Sequence, residues 1–183
     1  MADEGATPRE LVLEACRRNN TDLLQEVIDD FYAKNPKNEK AAEEQLAELL
    51  NTARDGIGQG VLHIAAVNGN YEVLDLLLDQ AGILIDEHSR LEADTPLHKA
   101  VRYVNSLDKS DWERGYQIVD ILIDAGCDPR IRNQAKLKPI ELADPRNDQL
   151  RNMLRRAEYS LMVANDVVDD DDDRPNGPGS ESD

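Results

Sequence analysis

Residues 60–78 contain two short apolar patterns with helical spacing, and this unit constrains the fold more than any other stretch of the chain. The first pattern places two small residues, Ala65 and Ala66, at its centre, which allows another helix to approach closely. Gly69 follows and is suited to the left-handed conformation that ends a helix. The second pattern repeats valine and leucine over residues 73–78. One helix pair cannot bury both faces by itself, so the sequence predicts further copies on either side.

Copies of this unit are present. One begins at Thr95-Pro96-Leu97-His98-Lys99-Ala100, a weaker one begins at Lys138-Pro139-Ile140-Glu141, and another covers residues 12–24. The Leu-His pairs at 62–63 and 97–98 lie 35 residues apart, close to the ankyrin period of roughly 33 residues. The copy at Thr95 resembles the ankyrin signature almost letter for letter. Residues 55–63 resemble the hairpin and helix start of the same motif, with Gly60 and Val61 in place of Thr and Pro.

The resemblance to ankyrin-repeat proteins covers about residues 9–158 and implies an all-α solenoid of about four helix-turn-helix repeats with hairpin loops. The predicted organisation is a flexible N-terminus at 1–8, repeats at 9–31, 55–86, 90–126 and 133–158, a helical insert at 32–54, a helix-extending insert at 102–116, and a helix end with an acidic disordered tail at 159–183.

The first insert predicts an amphipathic helix from Lys40 to Thr52, with a stripe of leucines at 46, 49 and 50. Covering the N-terminal end of the stack is favoured over binding a partner, because end repeats must hide their outer faces. Thr21 is the predicted N-cap of the second helix of repeat one.

The second insert contains Ser110-Asp111-Trp112-Glu113, which matches a capping box and predicts a helix from near Asp111 to Asp124. For Trp112, packing is favoured over recognition, although tryptophan is enriched in interface hot spots. In repeat four, Pro145 is expected to end the first helix early.

The net charge of −17 is unevenly distributed along the chain. Residues 1–85 carry −9, residues 86–158 carry −1, and residues 159–183 carry −7. Five consecutive aspartates, Asp169, Asp170, Asp171, Asp172 and Asp173, lie in the last segment. An acidic surface repels phosphate, so direct binding to nucleic acid is not expected, whereas a basic protein would be attracted.

The sequence contains no combination of residues that indicates catalysis, and we expect no enzyme, no cofactor and no metal site. Cys16 and Cys127 are isolated and are interpreted as reduced core thiols of a cytoplasmic or nuclear protein. No apolar run reaches the roughly 18 residues that a membrane span needs. The ankyrin resemblance implies that His63 and His98 bond neighbouring hairpins and are structural. Thr95 and Pro96 form a helix start, and Gly69 a helix end.

The ankyrin resemblance also implies where a partner protein would bind, namely the concave face and the tips of the hairpins. The candidate contact residues are Arg17, Arg18, Val67, Asn68, Arg102 and Tyr103 on the first helices, and Ile57, Gln59, Leu91, Glu92, Asp94, Gln134, Ala135 and Leu137 on the hairpins. Arginine and tyrosine are enriched in interface cores, so these side chains suggest a groove that holds a peptide or a carboxylate-bearing segment.

Two functions remain open at this point. The architecture is similar to that of small fungal ankyrin proteins with acidic tails, which implies a monomeric chaperone or escort for a basic partner such as a ribosomal protein. The alternative is a regulatory adaptor or inhibitor that holds a peptide or domain in its groove. In either case the acidic tail could instead occupy the groove of its own chain.

Overall fold

The computed structural model describes residues 5–168, with side chains for residues 5–164. The helices are α1 (Pro8–Arg18), α2 (Thr21–Lys34), α3 (Glu39–Thr52), α4 (Val61–Asn68), α5 (Tyr71–Leu78), α6 (Pro96–Ser106), α7 (Trp112–Asp124), α8 (Pro139–Leu142) and α9 (Asp148–Val168), and a 3-10 turn spans Lys109–Asp111. Within the described residues β-pairing is limited to one isolated bridge between Arg54 and Gly60.

The helices form two stacked rows, which confirms the expected all-α repeat fold. The first helix of each repeat lies in one row, where α1 packs on α4, α4 on α6, and α6 on α8. The second helices form the other row, where α2 packs on α5, α5 on α7, and α7 on α9. The repeats therefore stack in chain order, and each buries its apolar faces against its neighbours.

The central helix α4 shows why small residues are required. Six consecutive side chains, from Val61 to Ala66, are buried, because α4 lies between α1 and α6. Ala65 and Ala66 are completely inaccessible to solvent, because their small side chains let the neighbouring helices pack closely against α4. Gly69 ends the helix at φ +67, and a Cβ added there would lie 2.0 Å from the Tyr103 ring.

Helix α1 begins earlier than the sequence analysis predicted. Thr7 is its N-cap and Pro8 its first residue, and the Thr7 side chain exchanges capping bonds with Glu10. The assignment of residues 1–8 to a flexible lead was therefore wrong for these two positions. Thr7-Pro8 repeats the Thr95-Pro96 helix start, but Arg-Glu follows it in place of Leu-His, and the copy was overlooked.

Two predicted caps were also wrong. Asn20 rather than Thr21 caps α2, since its side-chain oxygen accepts from Leu23 N at 3.1 Å. Ser110 lies within the 3-10 turn, and α7 starts at Trp112 without a side-chain cap. The 3-10 turn leads directly into α7, and the side chains of Ser110 and Glu113 do not form the predicted capping box.

The first insert folds as the predicted helix, α3. Leu46 and Leu50 are buried, and α3 packs on both helices of repeat one. Its C-terminal end also reaches repeat two, where Asn51 donates to Gly82 O at 2.9 Å and accepts from Leu84 N at 2.8 Å. Helix α3 thus covers repeat one and ties it to the loop that follows α5.

The second insert lengthens the two helices of repeat three. Helices α6 and α7 have 11 and 13 residues, whereas α4 and α5 have eight each. Gly115 allows the extended helices to approach, because a Cβ there would lie 2.9 Å from Val104 Cγ2. Trp112 is half-buried and packs against the core, which agrees with the favoured packing interpretation.

Repeat four is the most divergent repeat. Its first helix, α8, has four residues and ends before Pro145, as predicted. Its second helix, α9, runs from Asp148 to Val168 and is the longest in the described chain. The acidic segment with Asp169–Asp173, for which the sequence predicts disorder, lies outside the described residues.

Candidate functional site

Three hairpin turns project from the stack, and we call them fingers two, three and four after their repeats. They span Asp55–Gln59, Ser89–Asp94 and Asn133–Leu137. In each finger the backbone N–H of the first residue donates to the carbonyl of the last, at 2.8 to 3.0 Å. Each finger also has a left-handed residue next to its end: Gly58, Ala93 and Lys136. The fingers therefore share one backbone shape, although finger three is one residue longer.

Two buried histidines fasten the fingers to the preceding helices. His63 Nε2 donates to Asp94 O of finger three at 2.9 Å, and His98 Nε2 donates to Leu137 O of finger four at 2.9 Å. Burial lowers the pKa of His63 to about 4 and also lowers that of His98. Both rings are therefore neutral at physiological pH. The resemblance implied hydrogen bonds from these histidines to neighbouring hairpins, and the two bonds to the fingers are of that kind.

The tips of fingers two and three expose a pair of large apolar side chains, which we call the fingertip patch. Ile57 is 53% and Leu91 62% exposed. Arg90 N donates to Gly58 O at 3.1 Å and holds the two fingers side by side. A surface cavity of about 240 Å³ lies between them, and its wall includes Glu92. Both apolar residues were among the predicted contact positions.

A buried ion network supports the fingertip patch from below. Lys99 lines the cavity with a side chain that is 5% exposed, and it pairs with Glu92 and, at 3.3 Å, with Asp94. Asp94 also accepts from Arg102 Nε at 2.6 Å and from Asn133 Nδ2 at 2.8 Å. Burial alone would raise the pKa of Asp94, but these hydrogen bonds lower it, so the carboxylate stays ionised.

This network corrects two of the predicted contact residues. Asp94 is completely buried, because its side chain turns toward α6 and meets the cations there. Tyr103 is 7% exposed, since it packs over Gly69, and its hydroxyl accepts from Arg114 at 3.0 Å. Neither side chain presents a surface to a partner.

The predicted arginine row is divided and largely neutralised. Arg17 and Arg18 lie exposed at the end of α1 and both pair with Glu14. Arg102 lies on α6, which is separated from α1 by α4, and is bound to the buried carboxylate of Asp94. The structure therefore does not bring these arginines together into one cationic groove.

The remaining candidates are spread over α4 and the fingers. On α4, Val67 is half-buried and Asn68 exposed, and the Asn68 side chain donates to its own helix. Gln59 and Leu137 are half-buried, whereas Gln134 and Ala135 are exposed at the tip of finger four. Gln134 N donates to Glu92 O at 2.8 Å, so finger four is held against finger three.

Sequence reasoning missed a larger cleft beside repeat one. A cleft of about 740 Å³ lies between α1 and finger two, and its lining includes Arg9, Leu11 and Arg54. Arg9 Nη2 donates to Arg54 O at 2.6 Å across the cleft. The repeated Thr-Pro at residues 7 and 8 was the signal that could have placed this part of α1 beside finger two.

The described residues hold no group of three histidine, cysteine or acidic side chains that could bind a metal ion. Both cysteines are buried and unpaired, and burial raises the pKa of both thiols, that of Cys16 to about 12. Such thiols are poor nucleophiles and poor ligands at neutral pH. None of the described helices combines the length and the apolar character that a membrane crossing requires.

Stacked helix pairs with fastened fingers define a repeat protein that presents an extended surface to other proteins. A family model for ankyrin repeats, in three copies, matches residues 4–133. The chain belongs to the ankyrin-repeat family, a non-catalytic interaction fold. The Leu-His and Thr-Pro positions that first indicated the family are those that fasten the fingers and start the helices.

The chain is similar in sequence to two known proteins. It is 38% identical to the ankyrin repeat-containing protein YGL242C of Saccharomyces cerevisiae over 175 residues, which are 94% of this chain and 90% of that protein. It is 29% identical to the transient receptor potential cation channel subfamily A member 1 homolog of Caenorhabditis elegans over 148 residues. That match covers 72% of this chain but 12% of the channel, so the likeness concerns a small part of that protein.

Proposed function

We propose that this chain is a non-enzymatic escort for a basic partner protein, such as a ribosomal protein, and that it grips the partner at the fingertip patch. Ankyrin repeats are protein-interaction modules, so membership of this family supports a role in binding another protein. The observation that carries the proposal is the exposure of Ile57 and Leu91 on adjacent fingers that a backbone hydrogen bond joins. An apolar centre bordered by polar groups is the usual composition of a protein–protein interface.

The charge of the chain supports a basic partner. The net charge is −17, and Glu92 borders the cavity of the fingertip patch with a half-exposed carboxylate. A field of this sign speeds the encounter with a cationic protein and repels acidic competitors. Residues 166–183 add −7, since they contain eight acidic side chains and one arginine. We propose that this segment steers the partner toward the repeats.

A regulatory adaptor is the second candidate function. The cavity of about 240 Å³ between Ile57 and Leu91 has room for one apolar side chain of a bound peptide, which favours this alternative. An adaptor would depend on the fingertip patch and little on the acidic segment, whereas an escort would depend on both. Deleting residues 166–183 therefore separates the two: slower association at low salt supports the escort, and an unchanged rate supports the adaptor.

The proposal is tested by affinity capture from cells of the source organism with matched variants. The fingertip variant carries Ile57→Ser and Leu91→Ser, and the control carries Leu84→Ser, whose side chain is 53% exposed and does not belong to any of the three fingers. We expect a basic protein on the wild type and the control, with at least tenfold less on the fingertip variant. Equal capture by all three, or capture of acidic proteins alone, would overturn the proposal.

We also propose that the free chain is a monomer that works in the cytoplasm or the nucleus. Repulsion between two chains of charge −17 supports the monomer. The two buried, unpaired thiols support a reducing compartment. Sedimentation velocity at physiological salt and microscopy of a tagged chain test these two points separately.

A further inference from the structure

The three fingers are joined by backbone hydrogen bonds that repeat from one finger to the next. Arg90, the second residue of finger three, donates its N–H to the carbonyl of Gly58, the fourth residue of finger two, at 3.1 Å. Gln134 N and Glu92 O hold the same two positions in fingers four and three and lie 2.8 Å apart. The second residue of a finger thus donates to the fourth residue of the preceding finger. We call this series of bonds the finger ladder.

The two ends of the finger ladder differ. In finger four the fourth carbonyl, Lys136 O, accepts from the Arg132 side chain at 2.5 Å. In finger two the second residue is Gly56, whose N–H has no hydrogen-bond partner among the described residues. Gly56 is exposed and lines the cleft of about 740 Å³ beside α1. The chain itself therefore closes the ladder at finger four, whereas at finger two the ladder is open beside this cleft.

The described residues before α1 do not supply the missing acceptor. In repeats two to four a finger directly precedes the first helix, and before the N-cap of α1 this place is held by Gly5 and Ala6. Both are exposed, and neither carbonyl accepts a hydrogen bond from finger two. Repeat one therefore has no finger within the described part of the chain, and the cleft lies where that finger would be.

One cation beside the cleft has no carboxylate partner. Five other charged side chains line the cleft and are engaged in an ion pair, in the cap of α1 or in the turn of finger two: Glu10, Glu14, Arg17, Arg54 and Asp55. Arg9 forms no ion pair within residues 5–164, and its one hydrogen bond there runs from Nη2 to Arg54 O. Because that carbonyl lies one peptide unit before Gly56 N, the guanidinium and the open N–H are neighbours. A guanidinium binds a carboxylate more strongly than a neutral acceptor.

The other properties of the cleft select the source of the carboxylate. Leu11 is half-buried and Leu13 is 6% exposed, so the α1 wall offers an apolar contact. A segment rich in aspartate or glutamate would be repelled by a chain of net charge −17. The C-terminus of a polypeptide, in contrast, carries a single carboxylate directly beside its last side chain. Capture of such a carboxylate by backbone N–H groups is an established form of peptide recognition.

We infer that the cleft binds the C-terminal end of another polypeptide, whose carboxylate accepts from Gly56 N–H and from Arg9. Its last side chain is apolar and packs against Leu11. The bound end takes the place of the finger that repeat one lacks and continues the finger ladder by one bond. This site is separate from the fingertip patch and does not depend on the basic partner of the proposed function.

Two peptides that differ only at the C-terminus test the inference with the full chain. Both are labelled with fluorescein at the N-terminus, contain glycine, serine and one lysine, and end in leucine. One has a free carboxylate and the other a carboxamide. We expect the free acid to bind at least tenfold tighter in fluorescence anisotropy at 0.15 M salt, because the amide cannot form the charge-assisted bonds. Equal binding of the two, or equally tight binding of an amidated peptide with one internal glutamate, would overturn the inference.

Matched variants of the chain locate the contact. Gly56 is the second residue of the turn that Gly58 N closes onto Asp55 O at 3.1 Å, a position where proline is favoured. Gly56→Pro therefore removes the N–H and keeps the turn, and it should weaken binding of the free acid about tenfold, whereas Gly56→Ala should not. Arg9→Gln should also weaken it about tenfold, whereas Arg155→Gln removes an exposed cation on α9 and should not. Wild-type affinity in Gly56→Pro or in Arg9→Gln would contradict the inference.

Spectra of the ¹⁵N-labelled chain identify the site without a substitution. The Gly56 amide resonance should shift when the free acid is added and should stay in place with the carboxamide. A shift confined to residues outside the cleft would reject the inference. A chain that lacks residues 2–4 tests another occupant: a shift of the Gly56 resonance on this deletion alone, without peptide, would assign the cleft to the chain's own first residues. An unchanged resonance supports a separate polypeptide.

Discussion

Acid should destabilise this protein through its buried histidines, whose pKa values burial lowers. His63 is 1% exposed, its Nε2–H donates to Asp94 O, and its Nδ1 accepts from Gly60 N–H at 3.3 Å. A proton on Nδ1 would remove that acceptor and bury a charge. Burial is the main cause that lowers the pKa of His63 from 6.5 to about 4.

The sign and size of the effect follow from that difference. A histidine whose pKa is lower in the folded state binds its proton more readily when unfolded, so its contribution is complete above pH 6.5 and is lost as the pH falls toward 4. Between pH 7.5 and pH 5, a pKa of about 4 against 6.5 corresponds to a loss of about 2 kcal/mol in the free energy of unfolding. His98 is lowered in the same direction and adds to the loss.

Urea unfolding at pH 7.5, 6 and 5 measures this loss, with circular dichroism and Trp112 fluorescence as two probes that must coincide. The control is His63→Gln, which keeps an amide donor and acceptor but cannot titrate. We expect the wild type to lose about 2 kcal/mol more than His63→Gln over this range. The same pH dependence in both proteins, within about 0.5 kcal/mol, would refute the reasoning.

Two further pairs of substitutions test the packing and the ion pairs around the candidate site by the same urea measurement. Gly69→Ala should cost at least about 2 kcal/mol, because the residue has φ +67 and its new Cβ would overlap the Tyr103 ring. Gly56→Ala has nothing within 4 Å of its Cβ and should change stability by less than about 0.5 kcal/mol. Asp94→Asn should cost about 3 kcal/mol, since it removes the buried anion that pairs with Lys99 and Arg102, whereas the half-exposed Glu92→Gln should cost less than about 1 kcal/mol. Equal losses within either pair would contradict the assigned contacts.

The repeat fold was predictable because its determinants are local. Small residues at a helix contact, a glycine at a helix end and a Thr-Pro helix start each indicate a conformation within a few residues. The start of α1 was predicted wrongly because Thr7-Pro8 keeps the Thr-Pro helix start, whereas Arg-Glu follows it in place of the Leu-His that follows Thr95-Pro96. The helix of the first insert was found from its leucine stripe, but its bond through Asn51 to repeat two is a contact over more than 30 residues that no local pattern indicates.

The candidate site was harder to predict because exposure depends on where a side chain turns. Asp94 and Leu91 belong to the same finger, yet one is completely buried and the other is 62% exposed. The signal for Asp94 was present, since Lys99 and Arg102 follow on one face of α6 and reach back to its carboxylate. The exposed apolar side chains Tyr159, Met162 and Val163 could not be predicted in this way, because a helix that extends beyond its repeat has no counterpart in the repeat pattern.

The histidine position of each repeat determines whether that repeat is hydrogen-bonded to the finger of the next repeat. His63 and His98 each accept a backbone N–H three residues upstream, and their second ring nitrogen donates to the following finger. Glu10 and Glu141 hold the same position in the first and last repeats and accept the same upstream N–H at 2.8 and 2.7 Å. An ionised carboxylate has no proton to donate, so these repeats cannot fasten a following finger in this way. In repeat one Arg9 donates instead to Arg54 O, directly before finger two, and the cleft of about 740 Å³ lies between α1 and this finger.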